Sequence, residues 1–98
     1  MVQIPNPKEF QWDKGNIFKN YSKHGITTKE SEEIILDSNV LINQDIKHSQ
    51  KEKRFIAIGK TFKNKILFVI YTIRKNKIRI ISARIANKKE KYLYAKKT

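Results

Sequence analysis

The segment HSQKEKR places an imidazole, a carboxylate and a guanidinium within seven residues, at His48, Glu52 and Arg54. His48 exchanges protons near neutral pH. Glu52 can act as a base, or can hold His48 or an arginine in position. Arg54 offers a planar fork that matches phosphate oxygens. These are the groups that metal-free cleavage of an RNA phosphodiester needs. A base takes the 2′-OH proton, a cation stabilises charge on phosphorus, and an acid protonates the leaving 5′-oxygen. RNA brings its own nucleophile, so serine and cysteine are not required. The same spacing also suits a solvated loop with a Glu–Arg surface pair, worth under about 1 kcal/mol.

The other guanidiniums are few. Of 22 Lys and Arg, four are arginine: Arg54, Arg74, Arg79 and Arg84. Two of them interrupt IRIISAR, residues 78–84, which otherwise reads as a buried strand. Simple strand alternation puts Arg79 and Arg84 on opposite faces. Arg79 is then the better phosphate ligand, beside Arg54 if the register allows. Arg84, at the strand exit, is left to anchor the last helix, hold RNA or meet an acidic partner.

The elements that must position these groups follow from periodicity. PNP opens the chain as loop, over about residues 1–9. A first helix is expected from Lys14 or Asn16 to Lys23, ended by Gly25 after His24. His24 caps that helix favourably as a partly positive imidazole, and is a reserve proton-transfer group. Phe10 and Trp12 read as core or lid residues rather than base-stacking ones. Thr27 and Glu30 have capping-box spacing, which starts a second helix running to about Leu36. From Val40 the pattern changes to strands: VLI, then KRFIAIG (53–59), KILFVIYTI (65–73) and IRIISAR. The turns TFKN and RKNK, with Asn64 and Asn76, make an antiparallel meander of the last three. The tail IANKKEKYLYAKK turns helical, with Ile85, Ala86, Tyr92 and Leu93 along one side. Tyr92 and Tyr94 fall on different sides, one to pack and the other free for a base or a partner. The order is α-α-β-β-β-β-α, a single α+β domain.

Charge is divided unevenly. Residues 1–50 carry 6 Lys against 7 Asp and Glu, and residues 51–98 carry 16 Lys and Arg against 2 Glu, so nearly all of the net +13 lies in the second half. That half calls for a polyanionic partner, unless the lysines only keep the protein soluble. Lys53, Lys88, Lys89, Lys91, Lys96 and Lys97 would gather phosphates without specificity. The chain has no cysteine, two histidines and three isolated glycines. No thiolate or transition-metal ligand set is expected, and no glycine-rich phosphate loop or Gly-x-Ser-x-Gly elbow is present. No cofactor is expected. The start lacks a signal-peptide pattern and ILFVIYTI is too short for a membrane span, so a cytoplasmic protein without membrane contact is expected.

These residues together resemble the BrnT family of toxins from bacterial type II toxin–antitoxin modules. The resemblance runs through Phe10, Trp12 and Asp13; Asn20; KHGI from Lys23; Asp37 and Asp45; and His48, Ser49, Glu52 and Arg54. It continues through Gly59, RIISAR from Arg79, Ala86, Glu90 and Tyr94. RIISAR and HSxxExR are its most specific parts. The chain departs from the pattern at TKES, residues 28–31, where the family usually has a Phe-Glu-Glu-Ala-like start. It departs again at Asn76, where glycine is common. The resemblance implies a RelE-like fold, its antiparallel sheet flanked by helices, and a metal-independent endoribonuclease that blocks growth. On that basis His48, Glu52, Arg54, Arg79 and His24 would be catalytic, and Arg84, Lys53, Lys88, Lys89 and Tyr94 would hold RNA. It also implies a BrnA-type ribbon-helix-helix antitoxin, operator DNA bound only through that antitoxin, and room for a toxin dimer in the complex. The competing expectation is a basic nucleic-acid- or partner-binding module without catalysis.

Overall fold

The computed structural model describes residues 9–16 and 25–97. Their order is α1 (Thr28–Leu36), β1 (Leu41–Gln44), a short 3₁₀ turn (Ile46–His48), β2 (Arg54–Lys60), β3 (Ile66–Arg74), β4 (Lys77–Ile85) and α2 (Lys88–Lys97). Residues 14–16, where the expected first helix would begin, form a turn; its remainder and His24 lie outside the described residues, as does the expected opening loop except for Glu9.

Helix α1 starts where the sequence says it should. The Thr27 hydroxyl accepts from Glu30 N and the Glu30 carboxylate accepts from Thr27 N, a complete capping box. One side of α1 is buried through Ser31, Ile34 and Ile35, and it lies against one face of the sheet. The four strands are antiparallel in the order β1-β2-β3-β4. Ile34 and Ile35 join Ala57, Leu67, Val69, Tyr71, Ile78, Ile80 and Ala83 in the core, with Phe10 and Trp12 packed at its margin. This inner face carries no charged strand residue.

The hairpin between β3 and β4 is closed by Lys75 and Asn76, both at positive φ (50° and 63°). Two such residues between paired Arg74 and Lys77 make a primed turn whose twist matches the strands. Asn and Gly are the residues that tolerate this backbone best, which is why Asn76 can stand where glycine is common. Beyond β4, Gln11 N donates to the Ile78 carbonyl and Ile78 N donates to the Glu9 carbonyl (2.8 and 2.7 Å), so Phe10 bridges β4 in parallel.

Strand β4 departs from simple alternation. Tyr71 pairs with Ile80 but Ile70 pairs with Ser82, which leaves Ile81 as the extra residue of a bulge. Ile78, Ile80 and Ala83 thereby all face the core, each fully buried, and Ser82 stays outside. The same shift corrects the expectation for the two arginines. Arg79 pairs with Thr72 and Arg84 with Phe68, positions of one parity on β3, so both arginines lie on the outer face. Arg54 also pairs with Thr72, so Arg54, Thr72 and Arg79 form one row across three strands.

The last helix is also corrected. Ile85 closes β4 and α2 begins only at Lys88. The side it buries is marked by Tyr94, whereas Tyr92 and Leu93 are exposed.

At Gly59 the backbone of β2 comes close to α1. A Cβ there would stand 2.7 Å from the Ile34 carbonyl oxygen and 3.0 Å from its Cβ. Gly59→Ala should therefore destabilise the protein by about 1–3 kcal/mol, measured by urea unfolding. An unchanged midpoint would show that α1 is not held this tightly.

Candidate active site

The loop from β1 to β2 sets the position of His48. Asp45 N donates to the Arg54 carbonyl (2.7 Å), prolonging the β1–β2 ladder by one bond. Ser49 Oγ then donates to the Asp45 carbonyl (2.5 Å) and accepts from Arg54 N (3.0 Å), closing the loop on itself. Within it, His48 Nδ1 lies 2.9 Å from buried Asp45 Oδ2, while the His48 side chain is 57% exposed. A carboxylate can only accept, so Nδ1 carries the proton and Nε2 of the neutral ring is the basic nitrogen, turned away from Asp45.

His48, Glu52, Arg54 and Arg74 line one cavity of about 440 Å³, with Lys47 and Lys51 at its edge. Glu52 accepts two bonds from Arg74, from Nε and Nη2, each 3.0 Å. This pairing holds the Glu52 carboxyl below the usual range and raises Arg74. Glu52 is therefore an anion that fixes a guanidinium, and a poor proton donor. Arg54 is placed differently. Its Nη2 stands 4.0 Å from Glu52 Oε2, and among the described residues its guanidinium makes no hydrogen bond.

Arg79 is held by a carboxylate. Its Nη1 and Nη2 donate to the two oxygens of Asp13 (2.7 and 3.1 Å), and its side chain is 12% exposed. The bond from Arg79, then one from Gly15 N, keeps the Asp13 carboxyl below its ordinary value. The loop that brings Asp13 is built around the guanidinium. A Cβ on Gly15 would meet Arg79 Nη2 at 2.8 Å. Buried Asn16 pins the loop by donating to the Gln11 and Ile80 carbonyls (3.0 and 3.2 Å) and accepting from Asp13 N (2.9 Å).

Arg84 lies on the same face but four residues further along β3, over the Phe68 ring (4.1 Å to its centre). It donates two bonds of 2.8 Å to Glu90. Glu90 also accepts from Asn87 N, and Asn87 Oδ1 accepts from Glu90 N, a second capping box. Of the roles open to Arg84 in the sequence, the structure shows the anchor of the last helix. Tyr94, expected to hold RNA, is 4% exposed and donates its hydroxyl to Asp37 (2.5 Å). Burial and that bond push the phenol up to about 12. Its ring fastens α2 and is not presented at the surface; Tyr92 is the exposed tyrosine. Lys53, Lys88 and Lys89 are exposed and stand apart from the His48 cavity lining.

Sequence reasoning had not assigned Asp45, Arg74 or Asp13 to the site. Asp45 and His48 are three apart, a spacing that could have revealed the pair. Asn87 and Glu90 repeat the spacing of Thr27 and Glu30. Arg74 and Asp13 gave no local signal, because their partners are 22 and 66 residues distant. Among the described residues no three His, Cys, Asp or Glu side chains are grouped as a metal site requires, and no helix is long and apolar enough to cross a membrane.

A family model described as ribonuclease toxin, BrnT, of type II toxin–antitoxin system matches residues 12–90. No curated protein matches the chain.

The Arg84–Glu90 pair ties stability to pH. Arg84 holds the Glu90 carboxyl below its ordinary 4.5, so its stabilisation is present above that value and is lost as pH falls through the folded-state value. Glu90→Gln, which keeps the cap, should cost about 0.5–1 kcal/mol at pH 7, a figure discounted for the 39% exposure of Arg84. Thermal melts should show the difference closing in acid. A gap that persists below pH 3 would contradict this pairing.

Proposed function

The chain belongs to the BrnT family of ribonuclease toxins of type II toxin–antitoxin systems, and from that premise we propose that it cleaves RNA on the outer face of its sheet. The observation that carries this is the cavity lined both by His48, backed by Asp45, and by Arg54, whose guanidinium makes no hydrogen bond among the described residues. Cleavage is metal-independent. The 2′-oxygen forms a bond to phosphorus as the bond from phosphorus to the 5′-oxygen breaks. The proton leaves the 2′-OH for a base and a proton reaches the 5′-oxygen from an acid. His48 is the proton-transfer group best supported by position, since Asp45 orients it through Nδ1 and Nε2 has no hydrogen bond among the described residues. Glu52, anionic and clasped by Arg74, positions cations and adds negative charge that keeps Arg54 drawn to the cavity.

Arg54 is the first phosphate ligand. Arg79 stands in the same row, two strands away, about 9–10 Å by strand spacing. It reaches a phosphate only by exchanging Asp13 for it, so it is the second cation of the site. His24 is the reserve acid or base. Lys53, Lys88 and Lys89 gather RNA through charge, and a phosphate would meet Arg84 only beside Glu90. The fold is RelE-like, the setting is the cytoplasm, and a BrnA-type ribbon-helix-helix antitoxin neutralises the toxin and carries it to operator DNA, with a toxin dimer in the complex. One observation favours the other reading, a basic binding module without catalysis. Arg74, Arg79 and Arg84 are each clasped by a carboxylate, as purely structural arginines would be.

Cleavage of labelled RNA in EDTA separates the two. Arg54→Ala should slow cleavage about 10²–10³-fold with an unchanged melting curve. Asp45→Asn should lower the rate, because it loosens the contact that orients His48. Wild-type rates for Arg54→Ala would remove the assignment, and salt-dependent RNA binding without products would establish the binding module.

A further inference from the structure

The outer face of the sheet changes character along its strands. Arg54, Thr72 and Arg79 form its cationic row. Four residues along β3, about 13 Å at 3.3 Å per residue, the row is Leu41, Ile58, Phe68 and Arg84. Here α2 meets the sheet and leaves a groove of about 270 Å³, walled by Leu41, Ile56, Ile58, Phe68 and Leu93, with Asn43 and Lys89 at its rim. That is just under the roughly 300 Å³ at which small-molecule pockets begin, room for one ring system. Its floor is rigid, because Arg84 lies on the Phe68 ring and is itself fixed to Glu90. Leu93 is 40% exposed, an apolar wall left half open.

We propose that this groove is a nucleobase subsite, taking one unstacked base of the RNA whose phosphate lies on the Arg54 row. The proposal rests on the ribonuclease reading. Groove and cationic row share one sheet face, and only the row of Asn43, Ile56, Ile70 and Ser82 separates them. Single-stranded nucleic acid is held in this manner, by a cationic track for phosphates beside flat apolar or aromatic surfaces for bases. The apolar walls take the faces of the base. The exposed Asn43 amide offers a donor and an acceptor to its edge. Lys89 meets the adjoining phosphate. Glu90, which also lines the groove, is neutralised by Arg84 and does not repel the strand. The occupant is therefore a base on a polyanionic backbone rather than a neutral apolar ligand.

The test is a methyl NMR titration of the full chain in EDTA with 2′-O-methyl oligoribonucleotides, which cannot be cleaved. Each oligonucleotide is compared with versions lacking one base at a time. Intact strands should shift the Leu41, Ile58 and Leu93 methyl resonances, and removal of one particular base should abolish those shifts and weaken binding about tenfold. Leu93→Ser should weaken binding of the intact strand similarly and leave binding of that abasic strand unchanged. Equal shifts and affinities with and without bases would overturn the subsite while leaving the phosphate site and cleavage intact. Base-dependent shifts in a protein that yields no RNA products would keep the subsite and remove the ribonuclease reading. Groove methyls unmoved by every RNA but perturbed by the antitoxin would assign the groove to the antitoxin and overturn the proposal.

Discussion

Where Tyr71 pairs with Ile80 and Ile70 with Ser82, β4 takes one residue more than β3, and the outer face of the sheet follows from that extra residue. Without Ile81 standing outside the ladder, the two ends of β4 could not both keep their apolar residues inside. Ile78 and Ile80 would face the core while Ala83 faced out, and Ser82 would need a hydrogen-bonding partner in an apolar layer. The bulge removes that conflict and carries Arg84 to the side of Arg79. A one-residue change of register flips every side chain beyond it. One local irregularity thus adds Arg84 to the surface that carries Arg54, Arg74 and Arg79, with the apolar face left to α1.

Gathering four guanidiniums on one face creates repulsion, and three carboxylates answer it. Glu52 clasps Arg74, Asp13 clasps Arg79 and Glu90 clasps Arg84. Each pairing is two-pronged, which suits the planar fork of arginine and would be lost with lysine. That accounts for arginine at these positions in a chain otherwise rich in lysine. It also separates Arg54 from the other three. Arg54 stands near Glu52 without a hydrogen bond to it, whereas Arg79 is already held by Asp13. The Asp13 loop packs Gly15 against that guanidinium and is pinned by Asn16 to the Ile80 carbonyl.

Much of this was legible in the sequence wherever the cause is local. The capping box at Thr27 and Glu30 needs only residues three apart, and it formed. Positive φ at Asn64 and Asn76 follows from side chains that tolerate left-handed backbone. The alternation of β2, with Arg54, Ile56 and Ile58 on one face, was readable because nothing interrupts it. The β4 bulge was not, since its cause is which face of the neighbouring strand must stay dry. The choice of Tyr94 rather than Tyr92 and Leu93 as the buried side of α2 was equally hidden. It depends on Asp37, 57 residues away, and no periodicity within the helix records that partner. Cluster HSQKEKR was visible as a cluster, but its division of labour was not. The structure gives the two groups different partners, Asp45 for His48 and Arg74 for Glu52.

Cleavage by the RNA's own 2′-oxygen, proposed for the face that carries His48 and Arg54, fixes the chemistry of the product ends. The most direct measurement is the chemistry of the product ends when the purified protein cuts a defined RNA in EDTA. Attack by the 2′-oxygen should leave a 2′,3′-cyclic phosphate on one fragment and a free 5′-hydroxyl on the other. Fragments ending in 3′-hydroxyl and 5′-phosphate would mean that water, not the 2′-oxygen, attacks phosphorus, and would contradict it.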